Sequence, residues 1–460
     1  MKMRLAYLSL LMWLVSSCDF LQEDPQDFLS PLNFYRTEAD AVAAVNAIYS
    51  SLSPTWNLGD LASDLLNEGA APRTENLELQ TFTFSSANPH FATLWQTRYV
   101  AINRANTAIE RIPMIDMNAE RRSRLVGEAK FLRALNYFDL VKAFGDVPLI
   151  LQETKGLDQQ NATRSPALEV YRQIIQDLEE AHPQLPLTYA SVETGRATRG
   201  AALALLARAY LFSQNYPKAA ETARTVTTLN YSLVPNYADI WPSERENGPE
   251  HIFSIQYKAG VRGSGFNETF GVRGGRAPIT GGSGAFVKRS FYNSFEPGDV
   301  RRDISIKTSF TFSDGSTQTF EPHVWKFFNL NFITPSNTDT NWPLIRYSEV
   351  LLILAEALNE VHNGPTPEAL EAINQVRRRA KVPELAATLS QQQFREAILR
   401  ERGWELAFEG HRRYDLIRLN KLQEVMAPLG VTVQVPTHNL YPLPQRELDV
   451  NKNLQQNPGY

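Results

Sequence analysis

Residues 394–418 read FREAILRERGWELAFEGHRRYDLIR, and the spacing of their apolar positions decides the fold class. Phe394, Ala397, Ile398, Trp404, Ala407 and Phe408 return to one side at helical period, while Arg395, Arg402, Glu405 and Glu409 fall largely elsewhere. The pattern predicts a long amphipathic helix stopped at Gly410. His411, Arg412 and Arg413 follow where cations complement the negative end of a helix dipole, and a second short turn begins at Tyr414. Glu401, Glu405, Glu409 and His411 could form an acid/base cluster. Glu396–Arg400 and Glu409–Arg413 are each four residues apart, however, the spacing at which opposite charges close along a helix face, so these charges read as braces.

Helical periodicity continues outward from this stretch. Tyr347–Val361 pairs with Pro367–Arg379, Pro166–Ala181 with Thr198–Ser213, and Tyr216–Leu229 follows. Leu206, Ala207, Tyr210, Tyr216, Ala219 and Ala223 have the small-and-large spacing of tetratricopeptide helix pairs, in which alanines let helices approach closely. Nearer the start, Leu94–Ile112 and Ala119–Gly145 are helices, and Thr37 caps another over Glu38–Leu52. Trp95, Tyr99, Ile102 and Ala105 share one helical side, so Trp95 reads as core. Such pairs cannot bury their apolar faces alone and must stack. The expected fold is mostly α: stacked tetratricopeptide-like helical hairpins with an irregular insertion of loops and short strands.

The insertion spans residues 231–342. HIFSIQY at His251–Tyr257 reads as a strand, Gly260–Gly284 holds nine glycines, and SFTFSDGSTQTFE at Ser309–Glu321 reads as a hairpin turning at Asp314 and Gly315. Residues 33–230 form the N-terminal helical region and 343–460 the C-terminal one. Within the first region, Ser53–Pro89 loosens into a long loop of the kind that often carries function. Val435–Tyr460 is an extended, proline-punctuated tail expected to pack across the helices.

The chain has 460 residues, 43% hydrophobic and 21% charged, the composition of a folded protein. Its formal net charge of -4 supplies no field for nucleic acid or an anionic membrane surface. Lys2 and Arg4 precede the apolar run Leu5–Val15, a signal peptide too short to span a bilayer, which sets residues 1–17 apart. Ser16 and Ser17 lead into Cys18, the single cysteine, in a pattern that resembles the lipobox of bacterial lipoproteins. Lipidation at Cys18 would tether a polar linker over residues 18–32, whose Asp19, Glu23 and Asp24 resemble a surface-export signal.

RERGWELAFEGHRRYDLIR closely resembles the C-terminal signature of the SusD/RagB family, and HNLYPLPQRELDVNKNLQQNPGY resembles its tail. FYRTEADAVAAVNAIYSSL and GEAKFLRALNYFDLVKAFGDVPL are similar to its N-terminal half. The resemblance covers nearly the whole mature chain. It implies a lipid-anchored protein on the exterior of the outer membrane that captures an oligosaccharide or peptide. Its implied partner is a SusC-like TonB-dependent transporter, over whose barrel it opens and closes while handing in cargo.

No enzyme motif contradicts this reading. Neither G-x-G-x-x-G nor G-x-x-x-x-G-K-[ST] occurs in the glycine-rich stretch, Ser283 lacks the last glycine of a nucleophile elbow, and the 7 His offer no metal-ligand pair. No cofactor, metal or catalytic residue is expected. Sugar rings stack on aromatic rings and leave hydroxyls for Asp, Asn and Arg. The loop residues of that chemistry are Trp56, Asp64 and Arg73 in the first loop, and Tyr292, Trp325, Phe327, Asn329 and Trp342 in the insertion, with Trp325 and Trp342 foremost. Two other readings are a lipid-anchored glycoside hydrolase, which needs two carboxylates in a cleft, and a helical-repeat adaptor that binds only protein.

Overall fold

The computed structural model describes residues 34–69, 72–156, 161–332 and 334–460. The expected signal peptide, Cys18 and the linker as far as residue 32 lie outside them. Counting helices of six or more residues, α1 is Glu38–Tyr49, α2 Thr74–Thr81, α3 Pro89–Arg111, α4 Ala119–Phe144, α5 Ala167–Ala181, α6 Arg199–Phe212 and α7 Tyr216–Thr227. After the insertion begins come α8 Val300–Ser305, α9 Tyr347–His362, α10 Pro367–Ala380, α11 Gln391–Glu405, α12 Arg412–Arg418 and α13 Gln445–Val450. Local chemistry sets many starts. Thr37 and Asp40 close a capping box on α1, as do Ser390 and Gln393 on α11. Asn88 caps α3 with Pro89 in the first turn, so that helix begins ahead of its apolar run.

Helices α3 to α7 pack each on the next, and α7 then packs on α9, which packs on α10 and α11. The array is therefore continuous in space although residues 228–346 intervene in sequence. Alanine-rich α6 is buried over nearly its whole length, which permits the close approach to α7 that its spacing predicts.

The insertion is held by three two-stranded antiparallel pairings. Strand β1 (Leu66–Glu68) pairs with β3 (Ala285–Val287), β2 (His251–Ile255) with β6 (Trp342–Arg346), and β4 (Ile306–Thr311) with β5 (Thr317–Val324). Gly315 turns the β4–β5 ribbon with φ +82°, beside Asp314 as expected. The first loop is more ordered than its sequence suggests: it holds α2 and β1, and its Phe82 and Phe84 are buried. The tail does lie across the helices. Tyr441 N–H donates to Ala143 at 2.8 Å and Tyr441 Oη to Leu58 O at 2.6 Å, while Asn457 Nδ2 reaches Phe144 O at 3.0 Å.

The C-terminal signature departs from its expected form. Helix α11 ends at Glu405, five residues before Gly410, and a turn with Phe408 at φ +68° and Gly410 at φ +84° leads into α12. The charges do not brace along one face either. Glu401, Arg402, Glu405, Glu409 and Arg413 are all buried and pair with other elements. Glu409 bonds Arg346 and Lys326 at 2.8 and 2.6 Å rather than Arg413, which lies over the Tyr441 ring, and Glu396 meets Lys421. Glu405 receives Arg346, Arg379 and Arg301 at 2.8, 2.6 and 3.1 Å. Burial pushes the Glu405 carboxyl up, but Arg379, Arg346 and Arg301 overcome it and hold it well below the usual range. The signature is thus an ionic core that fastens β6, α8 and α10 to α11, with Glu250, just ahead of β2, bonded to Arg346 and Arg379. No helix among the described residues is long and apolar enough to cross a membrane.

Candidate functional site

The insertion's residues 325–331 meet residues 238–244 across a cleft of about 260 Å³. Trp325 follows the end of β5 and stacks on Phe328, with centroids 4.5 Å apart and planes 11° from parallel. Phe328 N–H donates to Trp325 O at 2.8 Å, a tight turn that places both rings on the same side. Behind Trp325 lies Phe310 of the ribbon, and the ribbon packs with Val272 and Ile279 of the glycine-rich stretch in a small core of its own. Stacked in this way the rings support one another, and the pair gives the cleft an apolar aromatic wall.

Polar groups of the cleft come from Ser243, Glu244, Asn329, Asn331 and Thr340. Asn329 is fixed by Asn267: its N–H donates to Asn267 Oδ1 at 3.0 Å and its carbonyl accepts from Asn267 Nδ2 at 2.6 Å. Lys326 forms part of the floor. Its ammonium lies 4.3 Å from the Trp241 ring centroid and 2.6 Å from Glu409 Oε1, and burial lowers it to about 8 despite Glu409. The cleft is thereby tied to the ionic core.

The expected residues divide. Trp325 and Asn329 share this cleft. Trp342 and Phe327 do not offer a surface: each is 1% exposed, and the two rings stack on one another at 4.6 Å. Trp342 begins β6, whose residues are buried on both faces, so its ring enters the core. Phe327 lies between Trp325 and Phe328 in sequence, but its ring packs on Phe266, Phe270 and Trp342 in the core. Asp64 is engaged in a bidentate pair with Arg412, both contacts 2.8 Å, and so anchors α12. Trp56 packs 5.2 Å from Phe270, and Tyr292 lies under Arg302. Arg73 is 56% exposed beside Gly284 and 4.0 Å from Glu68, where β1 and β3 bring the first loop onto the insertion. Trp241 and Phe328 were missed. The tight turn after β5 was the available signal for Phe328.

The catalytic alternatives find little support. Glu401, Glu405 and Glu409 are buried in ion pairs, and burial lowers His411 to about 4, keeping it neutral. Ser283 Oγ lies 3.1 Å from His323 Nε2, but it is 3% exposed and also bonds Gly271 O and Arg273 N–H, as a turn requires. Burial raises Glu246 to about 8, with Asp339 and Glu244 adding to it, which is the state of a general acid. It borders a chamber of about 10 Å³ and is not among the cleft's lining residues, where Glu244 is the one carboxylate. Among the described residues no group of three His, Cys, Asp or Glu side chains could hold a metal.

Residues 290–460 match the model of the SusD family, and residues 19–211 match a second family described as starch-binding associating with outer membrane. SusD-like protein P2 of Formosa agariphila is 32% identical, with the whole of both chains covered. The starch-binding protein SusD of Bacteroides thetaiotaomicron is 23% identical over 72% of each chain. A solved laminarin-binding SusD-like protein superposes with a TM-score of 0.83 at 27% identity, covering 93% of this chain and 100% of that one.

Proposed function

The chain belongs to the SusD family, and from that we propose that it is a non-catalytic binding protein that captures an oligosaccharide in the Trp325 cleft. The observation that carries the reading is the stacked Trp325–Phe328 platform beside Ser243, Asn329, Asn331 and Thr340. A pyranose ring laid on the platform would bury its apolar C–H face, and its hydroxyls would meet the amides and hydroxyls of the rim. Glu244 is the single carboxylate among the cleft's lining residues, whereas glycoside hydrolysis uses two, which favours capture over cleavage. The names of similar proteins, starch-binding and laminarin-binding, support a neutral glucan as cargo.

In this reading, acyl chains on Cys18 hold the protein at the outer face of the outer membrane, and a SusC-like TonB-dependent transporter receives the cargo. The rigid helical array is the body and the insertion carries specificity. The test is a binding screen of protein lacking residues 1–18 against oligosaccharides and peptides, with products assayed in the same samples. Saturable oligosaccharide binding without product is expected. Binding of peptides alone, or product appearing from the bound sugar, would overturn the reading.

A further inference from the structure

A second and larger hollow lies at the other end of the insertion's attachment, where the α5–α6 connection meets the segment after α7 and strand β2. Its volume is about 490 Å³, within the ~300–1,000 Å³ of small-molecule sites. None of the Trp325 cleft residues lines it. Its wall includes Tyr189, Arg196, Asn230, Tyr231, His251 and Ser254.

Three features make it a built site. Tyr231 approaches Gly200 through the ring edge, since a Cβ there would lie 2.3 Å from Cε2 and 2.5 Å from Oη; its faces are not what packs on α6. Its hydroxyl is hydrogen-bonded to Thr198 Oγ1 at 2.9 Å, which fixes the ring. Gly195, at φ +94°, brings its loop against Gln256, where any Cβ would sit 2.5 Å from Cγ; this shapes the rim towards an adjoining hollow of about 320 Å³. Finally, Ser254 is only 4% exposed and its hydroxyl has no hydrogen-bond partner, as is true of His251 Nδ1 in the same wall. Buried polar atoms without partners cost free energy, and a rotation of Ser254 about its Cα–Cβ bond that turned the hydroxyl into the hollow would let a ligand hydroxyl recover it.

The charge of the wall defines the ligand. Arg196 is neutralised by Glu128 at 2.8 Å and Glu193 at 3.6 Å, and burial, helped by Arg346, lowers His251 to about 4, leaving it uncharged at neutral pH. No uncompensated cation lines the hollow to call for sulfate or carboxylate. We propose that it is a second saccharide site, independent of the Trp325 cleft, which takes one to three uncharged sugar units with Tyr231 as the ring platform and Ser254 as a buried partner.

The inference rests on the glycan reading, and one experiment separates their failures. Maltotriose and laminaritriose are titrated into wild type, Trp325→Ala, Tyr231→Ala, Tyr231→Phe and Asn230→Trp, the last filling the hollow from its exposed lip. Two binding phases are expected in wild type. Trp325→Ala should remove one, Tyr231→Ala and Asn230→Trp the other with at least a tenfold loss, and Tyr231→Phe should keep both. Asn230→Trp serves if Tyr231→Ala does not fold. A single phase lost in Trp325→Ala and untouched by the hollow variants would overturn the second site and leave the first reading standing. A single phase lost only in the hollow variants would do the reverse. No binding by wild type would overturn both.

Discussion

Replacing Glu405 with Gln tests whether the C-terminal signature is structural. The change keeps the shape and removes one charge from a carboxylate that bonds Arg346, Arg379 and Arg301 with both oxygens. Breaking a buried ion pair on one side costs about 3–5 kcal/mol, because the remaining charge stays desolvated. Here each arginine keeps another carboxylate: Arg346 has Glu250 and Glu409, Arg379 has Glu250, and Arg301 has Asp299 and Glu401. The lower end, about 3 kcal/mol, is therefore expected. With 460 residues the entropy of unfolding is roughly 1 kcal/mol/K, so Tm should fall by about 3 °C. Scanning calorimetry reads the shift, and a glycan titration well below Tm should give wild-type affinity. An unchanged Tm with collapsed affinity would refute the structural assignment and place Glu405 at the ligand.

Three further outcomes are expected. Asp60 is fully buried, accepts Gly410 N–H at 2.8 Å through one oxygen and leaves the other without a partner; burial raises it to about 8. A carboxyl raised above its unfolded value stabilises at low pH and loses that contribution as pH rises up to about 8, so the Tm of Asp60→Asn relative to wild type should climb from about pH 4 to about pH 8 and level off above; a flat difference would show that Asp60 is ionised throughout. Trp342→Ala should cost about 3–5 kcal/mol in chemical denaturation yet leave glycan affinity intact, whereas loss of affinity at full stability would return Trp342 to the site. Cys18→Ala should move the protein from the membrane to the soluble fraction, and retention through a salt wash would count against the lipid anchor.

Much of the helical body was legible because its signals are local. A cap such as Thr37 or Asn88 and an apolar stripe such as Phe394, Ala397 and Ile398 act within one or two turns, and the helices begin and pack where those residues direct. The ionic core was not legible. Arg402, Glu405 and Glu409 fall off the apolar side at helical period and hydropathy scores each charge alone, whereas partners as distant as Arg301, Arg346 and Glu349 neutralise them in the interior. Strands β1 and β3 are three residues each and meet across more than two hundred positions, so no local pattern announces their pairing. The same limit divides Trp325 from Trp342. Trp325 follows β5 and Trp342 opens β6, but WPLIR is a strand buried on both faces, and its near-continuous apolar run was the cue that Trp342 turns inward.

The central claim is that an aromatic platform at Trp325 holds the cargo, and the most direct measurement is the affinity of Trp325→Ala for laminarin and starch beside wild type. Loss of one stacking ring is worth about 1–3 kcal/mol, so a weakening of roughly 5- to 150-fold with unchanged Tm is predicted. Wild-type affinity for every glycan that binds would contradict the assignment.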